Sequence, residues 1–161
     1  MSRTLSILVD NQPGVLARVT GLVSRRGYNI ESLAVSHTED NTRSRVTMVV
    51  DADETVVEQV TKQLHKLINV YKVKDLTEVN HIDRELVMFK VNAEPSKRSE
   101  IVEVASIFRA RVVDVAPTSL TIEATGTEDK LQALEDLLRG YGIKQITRSG
   151  KIAISRGSSN E

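Results

Sequence analysis

The residues best placed for chemistry are Asp10-Asn11-Gln12-Pro13-Gly14-Val15-Leu16, with Gly27-Tyr28-Asn29-Ile30 one helix further on. Pro13 suits a first helical turn, because its missing N–H would have no partner there and its φ is already helical. Gly14 carries no side chain, so another molecule can approach its backbone. The unpaired N–H groups of a helix start bear partial positive charge and favour an anion. Asn11 and Asp10 stand beside them and offer oxygens to a cation. N–H groups for a carboxylate, together with oxygens for an ammonium, are what an amino-acid receptor needs. The plain alternative is a capped helix after a strand, and one short motif does not separate the two.

Other chemistry finds little support. His37, His65 and His81 fall on separate elements without metal-ligand spacing. Neither a Gly-x-Ser-x-Gly elbow nor a Gly-x-x-x-x-Gly-Lys phosphate loop occurs. The absence of cysteine excludes disulfides, thiolate zinc sites and a thiol nucleophile. Lys plus Arg and Asp plus Glu both number 22, so no basic excess points to nucleic acid or an anionic membrane. Aromatic residues make up 3%, too few for base-stacking platforms. The start, Met1-Ser2-Arg3-Thr4-Leu5, enters a strand pattern directly, and no run is long enough to span a bilayer. The expected location is the cytoplasm.

The elements that must position the turn read from periodicity. Leu5, Ile7 and Val9 alternate along a first strand. Val15, Leu16, Val19, Leu22 and Val23 recur at helical spacing, and Gly27 follows as a C-terminal stop. Residues 29–37 read as a second strand, 45–50 as a third and 70–76 as a fourth. Asp51 and Glu54 resemble a capping box for a helix carrying Val56, Val57, Val60, Leu64 and Leu67. The order is βαββαβ. It repeats after a polar stretch at 77–84: strand 86–91, a helix with Ile101, Val104, Ala105 and Phe108, then strands at 112–115 and 120–124. A helix with Leu131, Leu134, Leu137 and Leu138 and a strand at 143–147 complete it, followed by a short strand at 152–154.

The expected fold class is α+β, two ferredoxin-like βαββαβ domains in tandem. Residues 1–76 form the first domain, 77–84 the linker, 85–157 the second domain and 158–161 a tail. The first domain's second strand carries small residues, Ser32, Ala34 and Ser36, on one face. Such an edge suits pairing with a second copy, against the alternative of an exposed strand blunted by Glu31 and His37.

The stretch from Asp10 to Leu16 resembles the ligand turn of ACT domains, the amino-acid-sensing modules of biosynthetic enzymes. A narrower resemblance follows from Arg25 to Leu33, Gln63 to Leu67, Ile107 to Val115 and Arg148-Ser149-Gly150. In that order these blocks resemble the small subunits of acetolactate synthase (acetohydroxyacid synthase), from Arg3 to Gly157. The resemblance implies a non-catalytic regulatory chain. It implies a large catalytic partner that carries thiamine diphosphate, Mg2+ and FAD and condenses pyruvate in branched-chain amino-acid synthesis. It also implies activation of that partner, feedback inhibition by a branched-chain amino acid such as valine, and an ACT-domain homodimer with the effector between the copies. The implied effector residues are Asn11, Pro13, Gly14, Val15 and Leu16 of one chain, with Asn29 and Ile30 of its neighbour. The second domain is expected to contact the large subunit. The alternative, a free-standing ACT-type amino-acid sensor, would need a DNA-reading element, and no helix-turn-helix or basic stripe is present. A stand-alone enzyme lacks a catalytic constellation.

Overall fold

The computed structural model describes residues 1–157, and the expected tail at 158–161 lies outside them. Its first unit comprises Met1–Ile82 together with the chain from Lys151, and its second is Asp83–Gly150. In the first, β1 (Ser2–Asp10), α1 (Val15–Arg25), β2 (Ile30–His37), β3 (Arg43–Asp51), α2 (Glu54–Leu64) and β4 (Val70–Asp75) follow the expected order. The sheet runs β2-β3-β1-β4, all antiparallel. Strand alternation turns Leu5, Ile7 and Val9, with Val46, Met48 and Val50, toward Val15, Val19 and Val23 of α1 and Val57, Val60 and Leu64 of α2. These side chains form the core, and the period-3.6 stripes of both helices are what the sheet buries.

The second unit repeats the plan with β5 (His81–Asn92), α3 (Arg98–Ile107), β6 (Arg111–Val115), β7 (Ser119–Gly126), α4 (Glu128–Arg139) and β8 (Ile143–Arg148). Its strands run β6-β7-β5-β8, the same path as in the first unit. Val87, Phe89, Val91, Ile101, Leu120, Ile122, Leu131, Leu134 and Leu138 form its core. Glu135 is a buried carboxylate that the apolar pattern of α4 does not announce. It accepts from Arg139 at 3.1 Å and from Arg148 at 2.6 Å, so the block that ends at Gly150 ties β8 to α4. Leu137, expected on the apolar face, is exposed, as are Val113 and Val115 of the outer strand β6.

Three local readings change. The cap of α2 is Asp53, whose carboxylate accepts the Val56 N–H at 2.9 Å. Asp51 instead ends β3 and takes the N-terminal ammonium at 2.7 Å. The stretch at 77–84 is a linker only in part, because β5 starts at His81 and runs as one strand through the polar residues, its buried–exposed alternation beginning at Val87. Finally, β9 (Ile152–Ser155) does not stay with the second unit. It pairs with β5, Arg156 donates its N–H to the Asn80 carbonyl at 2.9 Å, and the Lys151 N–H donates to Ser32 Oγ at 2.8 Å. Ala153 is buried there. An isolated four-residue strand has no stability by itself, so it joins whichever unit offers backbone partners and an apolar floor.

Candidate functional site

The turn after β1 ends in Gly14 at φ 84°, ψ −11°, the left-handed region that glycine enters without a Cβ penalty. Helix α1 starts at Val15, so Pro13 sits in the turn and not in the first helical turn that its φ suited. Gly14 is the N-cap and supplies no side-chain acceptor. The Val15 N–H makes a long 3.4 Å bond to the Gln12 carbonyl, and Arg18 already donates to Gly14 at 3.1 Å. The N–H groups of Leu16 and Ala17 therefore open outward from an uncapped helix start. Asn11, Pro13, Gly14 and Leu16 are exposed, while Val15 is buried and anchors the turn in the core. Space around Gly14 is open, with no heavy atom within 4 Å of where a Cβ would stand.

Asn11 is oriented by the β2–β3 loop. Its backbone N–H donates to the Thr42 carbonyl at 2.8 Å and its amide nitrogen to the Asn41 carbonyl at 2.9 Å. Its side-chain oxygen is the group left for a ligand. Asp10 is not available in the same way. It accepts from Asn69 Nδ2 at 2.8 Å and from the Tyr71 hydroxyl in a short bond. The Tyr71 hydroxyl, and next the Asn69 amide, hold the Asp10 carboxyl below its usual range, and the same contact pushes the Tyr71 phenol up. Asn69 also accepts the Asp10 N–H at 2.9 Å and an Arg18 N–H at 2.7 Å, while Arg43 lies 4.1 Å over the Tyr71 ring. Asp10 thus braces the turn, with both of its carboxylate oxygens already accepting hydrogen bonds. The bracing residues Asn69 and Tyr71 carry no local signal in the sequence, since they lie 59 and 61 positions from Asp10.

The structure brings Asn11, Pro13, Gly14, Val15 and Leu16 into one corner but not Asn29 and Ile30. Those two follow the other end of α1, whose 11 residues span roughly 16 Å at about 1.5 Å each. Asn29 is exposed, with its carbonyl taken by the Asp51 N–H at 3.2 Å. Ile30 opens β2, pairs with Val50 and packs on the core. One chain by itself cannot close a ligand between these two groups.

The second unit builds the same corner differently. The Asn92 N–H donates to Gly142 at 2.8 Å and the Ala93 N–H to Thr118 at 2.9 Å, matching Asp10 to Asn69 and Asn11 to Thr42. But the N-cap there is Lys97 at φ −108°, not a left-handed glycine. The Arg98 guanidinium fills the corner, donating to the carbonyls of Ala116 and Pro117. Only the first unit keeps an open glycine turn. His37 closes β2, His65 is the C-cap of α2 and His81 opens β5. Among the described residues no group of three or more His, Cys, Asp or Glu could hold a metal ion.

Comparison with known proteins covers most of the chain. Residues 5–72 match the family described as AHAS small subunit-like ACT domain, and residues 84–157 the family described as small subunit of acetolactate synthase. A probable acetolactate synthase small subunit from Archaeoglobus fulgidus is 56% identical over 158 residues, 98% of this chain and 99% of that one. The acetolactate synthase small subunit of Mycobacterium bovis is 53% identical over 156 residues, 97% of this chain and 93% of that one. The crystal structure of the small subunit from Thermotoga maritima superposes with a TM-score of 0.87 at 36% identity, covering 97% of this chain and 98% of that one. Two family matches in tandem, and relatives above half identity that are covered over more than nine-tenths of their length, make this chain a member of the acetolactate synthase small-subunit family.

Proposed function

We propose that this chain is the non-catalytic regulatory subunit of an acetolactate synthase, and that the corner at residues 11–16 holds a branched-chain amino acid, valine first among them. The observation that carries the site is the uncapped start of α1 behind the left-handed Gly14, beside the free oxygen of Asn11. The Leu16 and Ala17 N–H groups take the effector carboxylate. Asn11 takes the ammonium, and the exposed Leu16 receives the branched side chain. A second copy supplies Asn29 and Ile30. The separation of the two groups along α1 supports this, as does the position of β2 at the outside of its sheet, where an unpaired edge can add another strand. In this reading thiamine diphosphate, Mg2+ and FAD belong to the large subunit, the second unit carries much of the contact with it, and both subunits work in the cytoplasm.

The assay is acetolactate formation by a purified large subunit, titrated with this chain, with and without valine. The chain should raise the rate, and valine should lower it only when the chain is present. A ligand regulates only by binding two states of the complex with different affinity, so valine should also bind the isolated chain in a saturable manner. An unchanged rate at saturating chain would remove the proposal. Asn29→Ala tests the shared site. Asn29 is exposed and its backbone bond is kept, so folding should be untouched, while valine affinity should fall about tenfold, the worth of one hydrogen bond to a charged group. A variant that sediments as a monomer and still binds valine with full affinity would show a site complete within one chain.

A further inference from the structure

The sheet of the first unit has a second face, turned away from its helices, and cations gather at its middle while Asp10 and Asp51 lie at its two ends. Ser6 and Leu8 point to that face, because Leu5, Ile7 and Val9 point to the core. Register sets Arg45 of β3 and Lys72 of β4 on either side of Leu8, and Lys74 beside Ser6. At about 4.8 Å between strands and about 3.3 Å per residue, these three cations surround a spot roughly 10 Å wide. A cavity of about 400 Å³ lies there, floored by Leu8 and Leu76 and flanked by Ile154 and Ser155 of β9. Among the described residues Glu39 is the only acid in its lining.

None of the three cations has a carboxylate partner among the described residues, whereas Arg3, Arg43, Arg139 and Arg148 each have one. Arg45 is instead fixed by donating to Ser6 Oγ at 2.8 Å. Like charges on neighbouring strands repel, and a bound anion would relieve that repulsion. Three cations against one carboxylate leave two positive charges, which matches a dianion. An arginine fork with two lysine point charges is a phosphate-binding set.

We propose that the helix-free face of the first sheet binds the phosphate of a small phosphorylated molecule between Arg45, Lys72 and Lys74, with β9 as the wall of the site. The molecule's remaining atoms lie over Leu8 and Leu76. Occupancy holds β9 on the first unit, because Ser155 and Ile154 line the same cavity. This site is separate from the corner at residues 11–16 and does not depend on the effector reading.

The test is calorimetry of the full chain with pyrophosphate and with inorganic phosphate at about 0.1 M salt, where charges more than about 10 Å apart are largely screened. One saturable site per chain is expected. Lys72→Gln with Lys74→Gln should weaken binding at least tenfold. Arg45→Gln should do the same, and it decides the matter if the double variant fails to fold. Lys62→Gln with Lys66→Gln, two exposed lysines in and just after α2, should leave affinity unchanged, as should Gly14→Asp. Hydrogen exchange of the β9 amides should slow on pyrophosphate binding. The proposal is overturned by an absence of saturable binding, by equal losses in the Lys62/Lys66 pair, or by binding to phosphatidylserine vesicles without binding to pyrophosphate.

Discussion

Gly14→Asp should lower valine affinity by at least 100-fold while the fold survives. Two effects act together. Gly14 sits at φ 84°, where a side chain adds strain of about 1 kcal/mol, although Asp and Asn tolerate this region better than most residues. The space for a Cβ is open, so no clash adds to that strain. The new carboxylate would lie at the uncapped helix start, accept the free N–H groups itself and repel the carboxylate of the effector. Juxtaposed like charges cost several kcal/mol, and each 1.4 kcal/mol is tenfold in affinity. Circular dichroism should match the parent chain, and calorimetry should show no measurable heat with valine. Gly14→Ala separates the two causes: it keeps the strain without the charge, so its loss should be much smaller. Parent-like affinity in Gly14→Asp would move the effector site elsewhere.

Asp75→Ala should destabilise the first unit by about 2–4 kcal/mol. Arg3 is 5% exposed and donates to Asp75 through Nε at 3.1 Å and through an Nη at 2.7 Å. Removing one partner of a buried pair leaves a charge without compensation, which costs about 3–5 kcal/mol in a closed interior. The figure is lower here because the Asp75 side chain is 24% exposed and Glu78 stands 3.5 Å from Arg3. Thr77 adds to the network, donating N–H and hydroxyl to Asp75 at 3.0 and 2.6 Å, while its Oγ1 accepts the Thr4 N–H at 2.9 Å. Burial works to raise the Asp75 carboxyl, but the Thr77 bonds and the Arg3 guanidinium outweigh it and hold the group below its usual range. A depressed carboxylate stabilises the fold above its unfolded value of about 3.9, and that stability is lost as pH falls through the folded value. Urea melts from pH 7 to pH 3 should therefore show a shallower acid decline in Asp75→Ala than in the parent. Equal slopes would mean that Asp75 is not the linked group.

The core was legible because each element states its own period. Val15, Val19 and Val23 recur as a helix stripe, Leu5, Ile7 and Val9 alternate as a strand, and both patterns end at turn residues. The glycine turn was legible for the same reason: the left-handed conformation and the absent side-chain cap both follow from Gly14 itself. Local reading erred where two acidic residues competed for one role. Asp51 and Asp53 both precede α2, and only the length of the β1–β3 ladder, which runs to Ser2 opposite Asp51, leaves Asp53 as the cap.

What the sequence by itself determined is the set of elements, their order, the two apolar cores, the turn at residues 11–16 and, through its ordered blocks, the family. These depend on neighbours a few residues apart, where side-chain period and backbone preference act directly. The tertiary structure decided three further matters. It made Asp10 a brace, through Asn69 and Tyr71 at the start of a distant strand. It placed Asn29 and Ile30 at the far end of α1 from Gly14, so that a ligand touching both needs a second copy. It sent β9 back to the first unit, where Arg45, Lys72, Lys74 and Ser155 share one cavity. The brace at Asp10 and the return of β9 rest on hydrogen bonds and burial between residues dozens of positions apart. A period of two or 3.6 fixes which way a side chain points, and only the packed chain fixes what it meets.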